Sequence, residues 1–154
     1  MRETNVYRRM VFEVYCALLF VLLFLQRSPH LGAGAGYAET LRSNLNLIPG
    51  VTIHRFMRVW DTPVYHRAAI VNLIGNVIMF IPLGFGLPWV FERLRRLWKT
   101  LLVSAGIIIL VETVQLVTLL GHCDVDDLIL NLIGVVIGYM LYVLIYKLGI
   151  RNEE

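Results

Sequence analysis

The chain has 154 residues, of which 58% are hydrophobic and only 16% charged, with a formal net charge of +3. At a mean hydropathy of +0.70 it lacks the charged surface that a soluble domain of this length needs, which excludes that class and makes lipid the expected solvent. Nucleic-acid binding is not expected either, because the one dense basic run, RLRRLWK, is short and reads as an anchor at a membrane surface.

Crossing roughly 30 Å of hydrocarbon takes about 20 residues. Apolar runs of suitable length lie near residues 10–26, 68–91, 98–120 and 127–149. In the first, Met10 to Leu25 contains a single charge, Glu13. Arg2, Arg8 and Arg9 precede it, so a cleavable signal peptide is the competing reading. The sequence around Gln26–Arg27–Ser28 lacks a small-residue cleavage pattern, and the run is therefore kept as a span.

Residues 27–67 form a long first loop. Its bases are all arginines (Arg27, Arg42, Arg55, Arg58, Arg67), and it holds His30, His54 and His66. The stretch HLGAGAGYAE is Gly/Ala-rich and expected to be mobile. NLNLIPGVTIHRFMRVW is apolar with a Pro49–Gly50 turn signal, and is expected to lie in the interface or fold back over the bundle. In the second span, FIPLGFGLP places Pro82, Gly84, Gly86 and Pro88 close together, which predicts a kink or break that opens space. The short connection 92–99 carries Arg93, Arg95, Arg96 and Lys99. In the fourth span, Gly134 and Gly138 form a ridge for close helix approach.

Basic residues at the N-terminus, in the 92–99 connection and at Lys147 and Arg151 contrast with none between Cys123 and Asp127. That asymmetry places both termini in the cytoplasm. Trp60, Tyr65, Trp89 and Trp98 fit interfacial aromatic belts. Cys16 and Cys123 provide no disulfide framework. The expected fold is all-α without a sheet: a polytopic membrane protein, one domain over residues 1–154, built as a four-transmembrane-helix bundle with a long first extracytoplasmic loop.

The polar residues of the spans carry the functional reading. Asn72 and Asn76 share a helical face, as do Glu112 and Gln115, and Asn131 follows Asp127 by one turn. By the inferred topology all of them fall in the outer half of the membrane. An acidic group inside a span costs roughly 2.5–3.5 kcal/mol on insertion scales, so Glu112 should face the bundle or a wet cavity. The expectation is a polar pocket with Asp124, Asp126 and Asp127 at its rim. The plainer alternative treats the amides as interhelical glue and pairs Glu112 with an arginine. Asp126 fits a solvated helix N-terminus.

With these residues in place, the chain resembles the VanZ-like family of bacterial membrane proteins. Asn76, Phe80, Pro82 and Gly84 match one family motif, and Glu112 with Gln115 a second. Asp124–Val125–Asp126–Asp127 followed by Asn131, Gly134 and Gly138 matches a third, and NLIPGVTI looks like the family's loop before the second span. Members often carry an arginine before the acidic motif; here the sequence is GHCD, so His122 or a loop arginine would supply that cation. The resemblance implies a plasma-membrane protein of the bacterial envelope. It also implies an association with resistance to teicoplanin-type lipoglycopeptides.

Three functions compete on these residues. The first is binding or remodelling of a membrane lipid or lipid-linked envelope precursor. Asn72, Asn76, Gln115 and Asn131 would contact the head group, with Arg55, Arg67 and His122 on its phosphate. The second is an intramembrane enzyme in which Glu112 and Asp124 or Asp127 act as acid and base on a lipid-linked phosphate or glycan. The third is a small transporter, which would require a homo-oligomer. No cofactor is expected. A divalent metal at the carboxylates is the alternative, although His122 and Cys123 match no closed zinc pattern. No Ser or Thr stands beside a His in a nucleophile motif, and no glycine loop is arranged to cradle phosphate.

Overall fold

A computed structural model describes residues 2–25, 36–58 and 63–149. The expectations placed on Arg27, His30, Trp60 and Arg151, on most of the Gly/Ala-rich stretch, and on the side chains of Tyr65, His66 and Lys147 lie outside the described residues. The chain begins with α1 (Arg2–Phe20), which continues as a π-helical turn, Val21–Leu25. Then come α2 (Tyr37–Ser43), β1 (Leu45–Asn46) and α3 (Val51–Arg58). The long helix α4 (Pro63–Val90) leads through a 3-10 turn, Glu92–Leu94, into α5 (Leu97–Val117). β2 (Cys123–Asp124) precedes α6 (Val125–Tyr142), which ends in a π-helical segment, Val143–Leu148.

Among the described residues, three helices are long and apolar enough to cross a membrane: Ile70–Val90, Leu97–Val117 and Val125–Tyr146. α1 begins eight residues before its apolar run, on the charged stretch around Arg8 and Arg9, and is not one of the three. It nevertheless packs on α4, where the Tyr15 hydroxyl donates to the Met79 carbonyl at 2.8 Å. Gln115 of α5 donates to the Leu23 carbonyl at 3.0 Å, tying the π-turn to the bundle. In lipid such bonds and close packing hold helices together, because apolar burial supplies no drive between them.

The central pair is α4 and α6, which make the most extensive contact in the molecule. Glycines set their separation. A Cβ on Gly84 would collide with the Val135 carbonyl, and one on Gly134 or Gly138 with the Val77 or Ile81 carbonyl. Around this seam, Phe80, Leu83 and Leu87 of α4 meet Ile108 of α5, Val135 of α6, and Leu19 and Leu23 from the first helix.

Two expectations are corrected here. α4 is not broken at FIPLGFGLP: it runs as helix through both Pro82 and Pro88. Its glycines close space against α6 and α1 instead of opening it, with Gly86 lying under the Phe12 ring. Packing against neighbouring helices lets a lipid-embedded helix tolerate the hydrogen bond that proline removes. The fold also contains a sheet, where none was expected. β1 and β2 form a two-stranded parallel pair in the register Leu45 to Cys123 and Asn46 to Asp124. The pairing joins the segment leaving α2 to the entry of α6, each strand supplying backbone partners for the other.

That segment is a lid more than a loop. Cys123 N donates to the Asn44 carbonyl at 2.9 Å, and the Tyr37 hydroxyl donates to the Val117 carbonyl at 2.8 Å. Gly50, at φ 87, takes the left-handed turn that lets α3 begin over α6. The opposite end of the bundle gathers the start of α1, the 3-10 turn and the end of α6. There the Tyr139 hydroxyl donates to the Arg95 carbonyl at 2.9 Å.

Candidate functional site

The three aspartates at the start of α6 each do something different. Asp124 is the N-cap: its Oδ1 accepts from Asp126 N at 2.9 Å. The same oxygen accepts from Asn46 Nδ2 at 3.2 Å, and its Oδ2 accepts from the Thr52 hydroxyl. Asp127 Oδ1 accepts from Asn76 Nδ2 at 2.6 Å, joining α6 to α4.

Asp126 departs from its expected solvated position. It is fully buried, and its two oxygens accept from Gly50 N at 2.6 Å, Thr52 N at 2.8 Å and Ile53 N at 3.2 Å. These are the free amides at the start of α3. A carboxylate is favoured there by the helix dipole as well as by the bonds themselves. Asp126 does sit at a helix N-terminus, but the helix it serves is α3, brought across from about 70 residues earlier, and not its own.

Beneath this tie lie the buried polar groups of the spans. Glu112, Gln115 and Asn131 are all buried. Gln115 is engaged with Leu23, whereas Glu112 Oε1 and Asn131 Oδ1 have no hydrogen-bond partner among the described residues. The other Glu112 oxygen accepts from Cys123 Sγ at 3.9 Å, and the Asp127 and Asp124 carboxylates act on Glu112 electrostatically. Burial and the adjacent Glu112 and Asp124 carboxylates push the Cys123 thiol above its ordinary value, so it stays neutral at physiological pH.

Not every expected site residue joins this group. Asn72 is half-buried on α4 without a hydrogen bond to the cluster. Arg55 and Arg67 are exposed and bond no carboxylate among the described residues, so Glu112 is not paired with an arginine there. His122 is exposed beside β2. Asn46, Thr52 and Cys123 belong to the site without having been expected in it. Pro49–Gly50 was legible as a turn, but nothing local identified the helix start that follows it or the carboxylate that meets it. Among the described residues no three His, Cys, Asp or Glu side chains are grouped to hold a metal ion.

Chemically the site is a set of acceptors. Both Asp124 oxygens and both Asp126 oxygens are satisfied by protein donors, and Asp127 has the Asn76 amide. Glu112 and Asn131 hold acceptor capacity with nothing donated to it. No curated protein and no solved structure matches the chain. The family model VanZ/LLP1 matches residues 12–146, which takes in the lid, the α4 to α6 seam and the whole carboxylate cluster, and the chain belongs to that family.

Proposed function

We propose that this VanZ/LLP1 membrane protein binds or remodels the head group of a lipid or lipid-linked envelope precursor in the outer leaflet of the bacterial plasma membrane. In this reading α1 and its π-turn cross as a fourth span, both termini are cytoplasmic, and the lid faces outward.

The observation that carries the reading is the pair of buried, unpartnered acceptors, Glu112 Oε1 and Asn131 Oδ1, on neighbouring helices α5 and α6. Leaving a buried polar group unsatisfied costs about 1–3 kcal/mol, more for a charged one. A ligand bearing hydroxyl or ammonium donors, as sugars and aminated head groups do, would satisfy both. Arg55 on the lid and Arg67 at the start of α4 are exposed and available to a phosphate on the same ligand. Holding such a head group would change the access of a lipophilic glycopeptide to its lipid-linked target, the route to teicoplanin-type resistance.

The acid–base alternative is weaker on this geometry, because both Asp124 oxygens are taken up by the N-cap and the lid. Glu112→Gln and Asp127→Asn test the proposal through lipoglycopeptide susceptibility and through co-purifying lipid, compared at equal membrane abundance. Loss of resistance together with loss of the co-purifying lipid is expected for Glu112→Gln. Wild-type behaviour of both variants in both assays would overturn the charged-site reading, and lost resistance with lipid still bound would favour an enzyme.

A further inference from the structure

The end of the bundle away from the aspartates holds a cavity. A hollow of about 590 Å³ lies between the start of α1, the end of α4 and the 3-10 turn, with Arg8, Arg9, Arg93 and Arg95 on its walls against a single acid, Glu92. Arg95 reaches Glu92 at 3.1 Å, but among the described residues no carboxylate pairs with Arg8, Arg9 or Arg93. An adjoining hollow of about 460 Å³ shares Arg8, Trp89 and Arg95 and is otherwise walled by Tyr139, Tyr142, Val143 and Tyr146.

Two features distinguish this cavity from a diffuse basic surface. The Arg8 guanidinium lies 5.7 Å from the Trp89 ring centre and 5.5 Å from that of Tyr146, and these two rings are themselves 6.2 Å apart, so the guanidinium rests against a packed aromatic pair that restricts its motion. Trp89 walls both hollows, so the aromatic support under Arg8 runs from one into the other. Arginine forks without a paired carboxylate among the described residues form a donor set suited to an oxyanion. The tyrosines beside it, with their rings packed on one another at 5.7 to 6.2 Å, provide the amphipathic wall found where head groups meet acyl chains.

We propose that this cavity binds a phosphate-bearing anion, either the head group of an anionic phospholipid in the leaflet at this end or a phosphate free in solution. The phosphate oxygens sit among Arg8, Arg9 and Arg93 and accept from their guanidinium N–H groups. In the lipid case the glycerol and first acyl carbons pass over Tyr139 and Tyr142. The site is separate from the Glu112 site and does not depend on what that site binds. Basic pockets between spans are suited to this chemistry, and arginine engages phosphate through paired bonds.

The test is native mass spectrometry of the full chain in detergent, titrated with phosphatidylglycerol, phosphatidylcholine or inorganic phosphate. Phosphatidylglycerol should be retained preferentially over phosphatidylcholine, and the double variant Arg8→Gln/Arg93→Gln should weaken it by about tenfold or more. Arg96→Gln removes a charge at the same end without lining the cavity, and should leave retention close to wild type. Arg8→Lys keeps the charge and removes the paired donors, so a smaller loss in that variant supports the site even if the double variant folds poorly. Phosphatidylglycerol retained against excess inorganic phosphate identifies the lipid as the source, whereas its displacement identifies free phosphate. Equal retention of both lipids, or an Arg96→Gln loss matching that of Arg93→Gln alone, would overturn the proposal.

Discussion

The two ends of the bundle handle charge in opposite ways. At the aspartate end, Asp124 and Asp126 are buried and each oxygen meets a donor, several of them backbone amides from α3 and the α6 N-terminus. At the arginine end, Arg8, Arg9 and Arg93 line a cavity with no paired carboxylate among the described residues, and Arg8 rests on aromatic rings. Asp124 and Asp126 therefore have their acceptors filled by the protein itself, whereas the arginines are open to a partner. Whether a charged cluster is a site depends on what it leaves unpaired, not on how many charges it holds.

The comparison breaks most visibly at Asp126. Asp126→Ala strips the acceptor from three amides at once, Gly50 N before α3 and Thr52 N and Ile53 N in its first turn, and should cost about 3 kcal/mol or more, since each buried donor left unsatisfied costs about 1–3 kcal/mol. Hydrogen exchange at Gly50 to Ile53 should rise sharply while the α4–α6 seam stays protected. Unchanged protection at those amides would mean that the lid is held elsewhere.

A smaller effect sharpens the contrast inside the polar end. The thiolate is the reactive form of cysteine, and Cys123 is held neutral by burial and by the Glu112 and Asp124 charges. Iodoacetamide should therefore modify Cys123 more slowly than a free thiol near pH 8, with the rate still rising at a pH where a free thiol has levelled off. Glu112→Gln should accelerate modification several-fold, up to about tenfold for each unit by which the thiol falls. The sign for stability follows from the same shift. The folded state holds the proton more tightly, so stability declines as pH rises through the ordinary cysteine range toward the raised value. A Glu112→Gln protein that is alkylated no faster would separate Cys123 from Glu112.

The smallest expected effect lies at the other end. Arg93→Gln should shift thermal stability by no more than about 0.5 kcal/mol, the usual range for an exposed position without a partner. A large loss on that substitution would show that the arginines hold the fold together just as the aspartates do, and the contrast between the ends would disappear.

Much of the architecture was legible along the chain. Apolar runs of spanning length located α4, α5 and α6 to within a few residues, because a lipid-embedded helix must be continuous in apolar side chains over a set length. Gly134 and Gly138 announced the close seam for a similarly local reason: only a missing side chain lets two backbones approach. Glu112 and Asn131 were marked as inward-facing by the cost of exposing them to acyl chains. Tertiary structure alone decided who pairs with whom. Asp126 serves α3 and not its own helix, Thr52 and Asn46 join Asp124, and Pro82 leaves α4 unbroken. Hydrophobic periodicity and residue cost act within a single helix, whereas a hydrogen bond across some 70 residues depends on where the lid lands, and that is settled only when α4, α6 and the lid pack together.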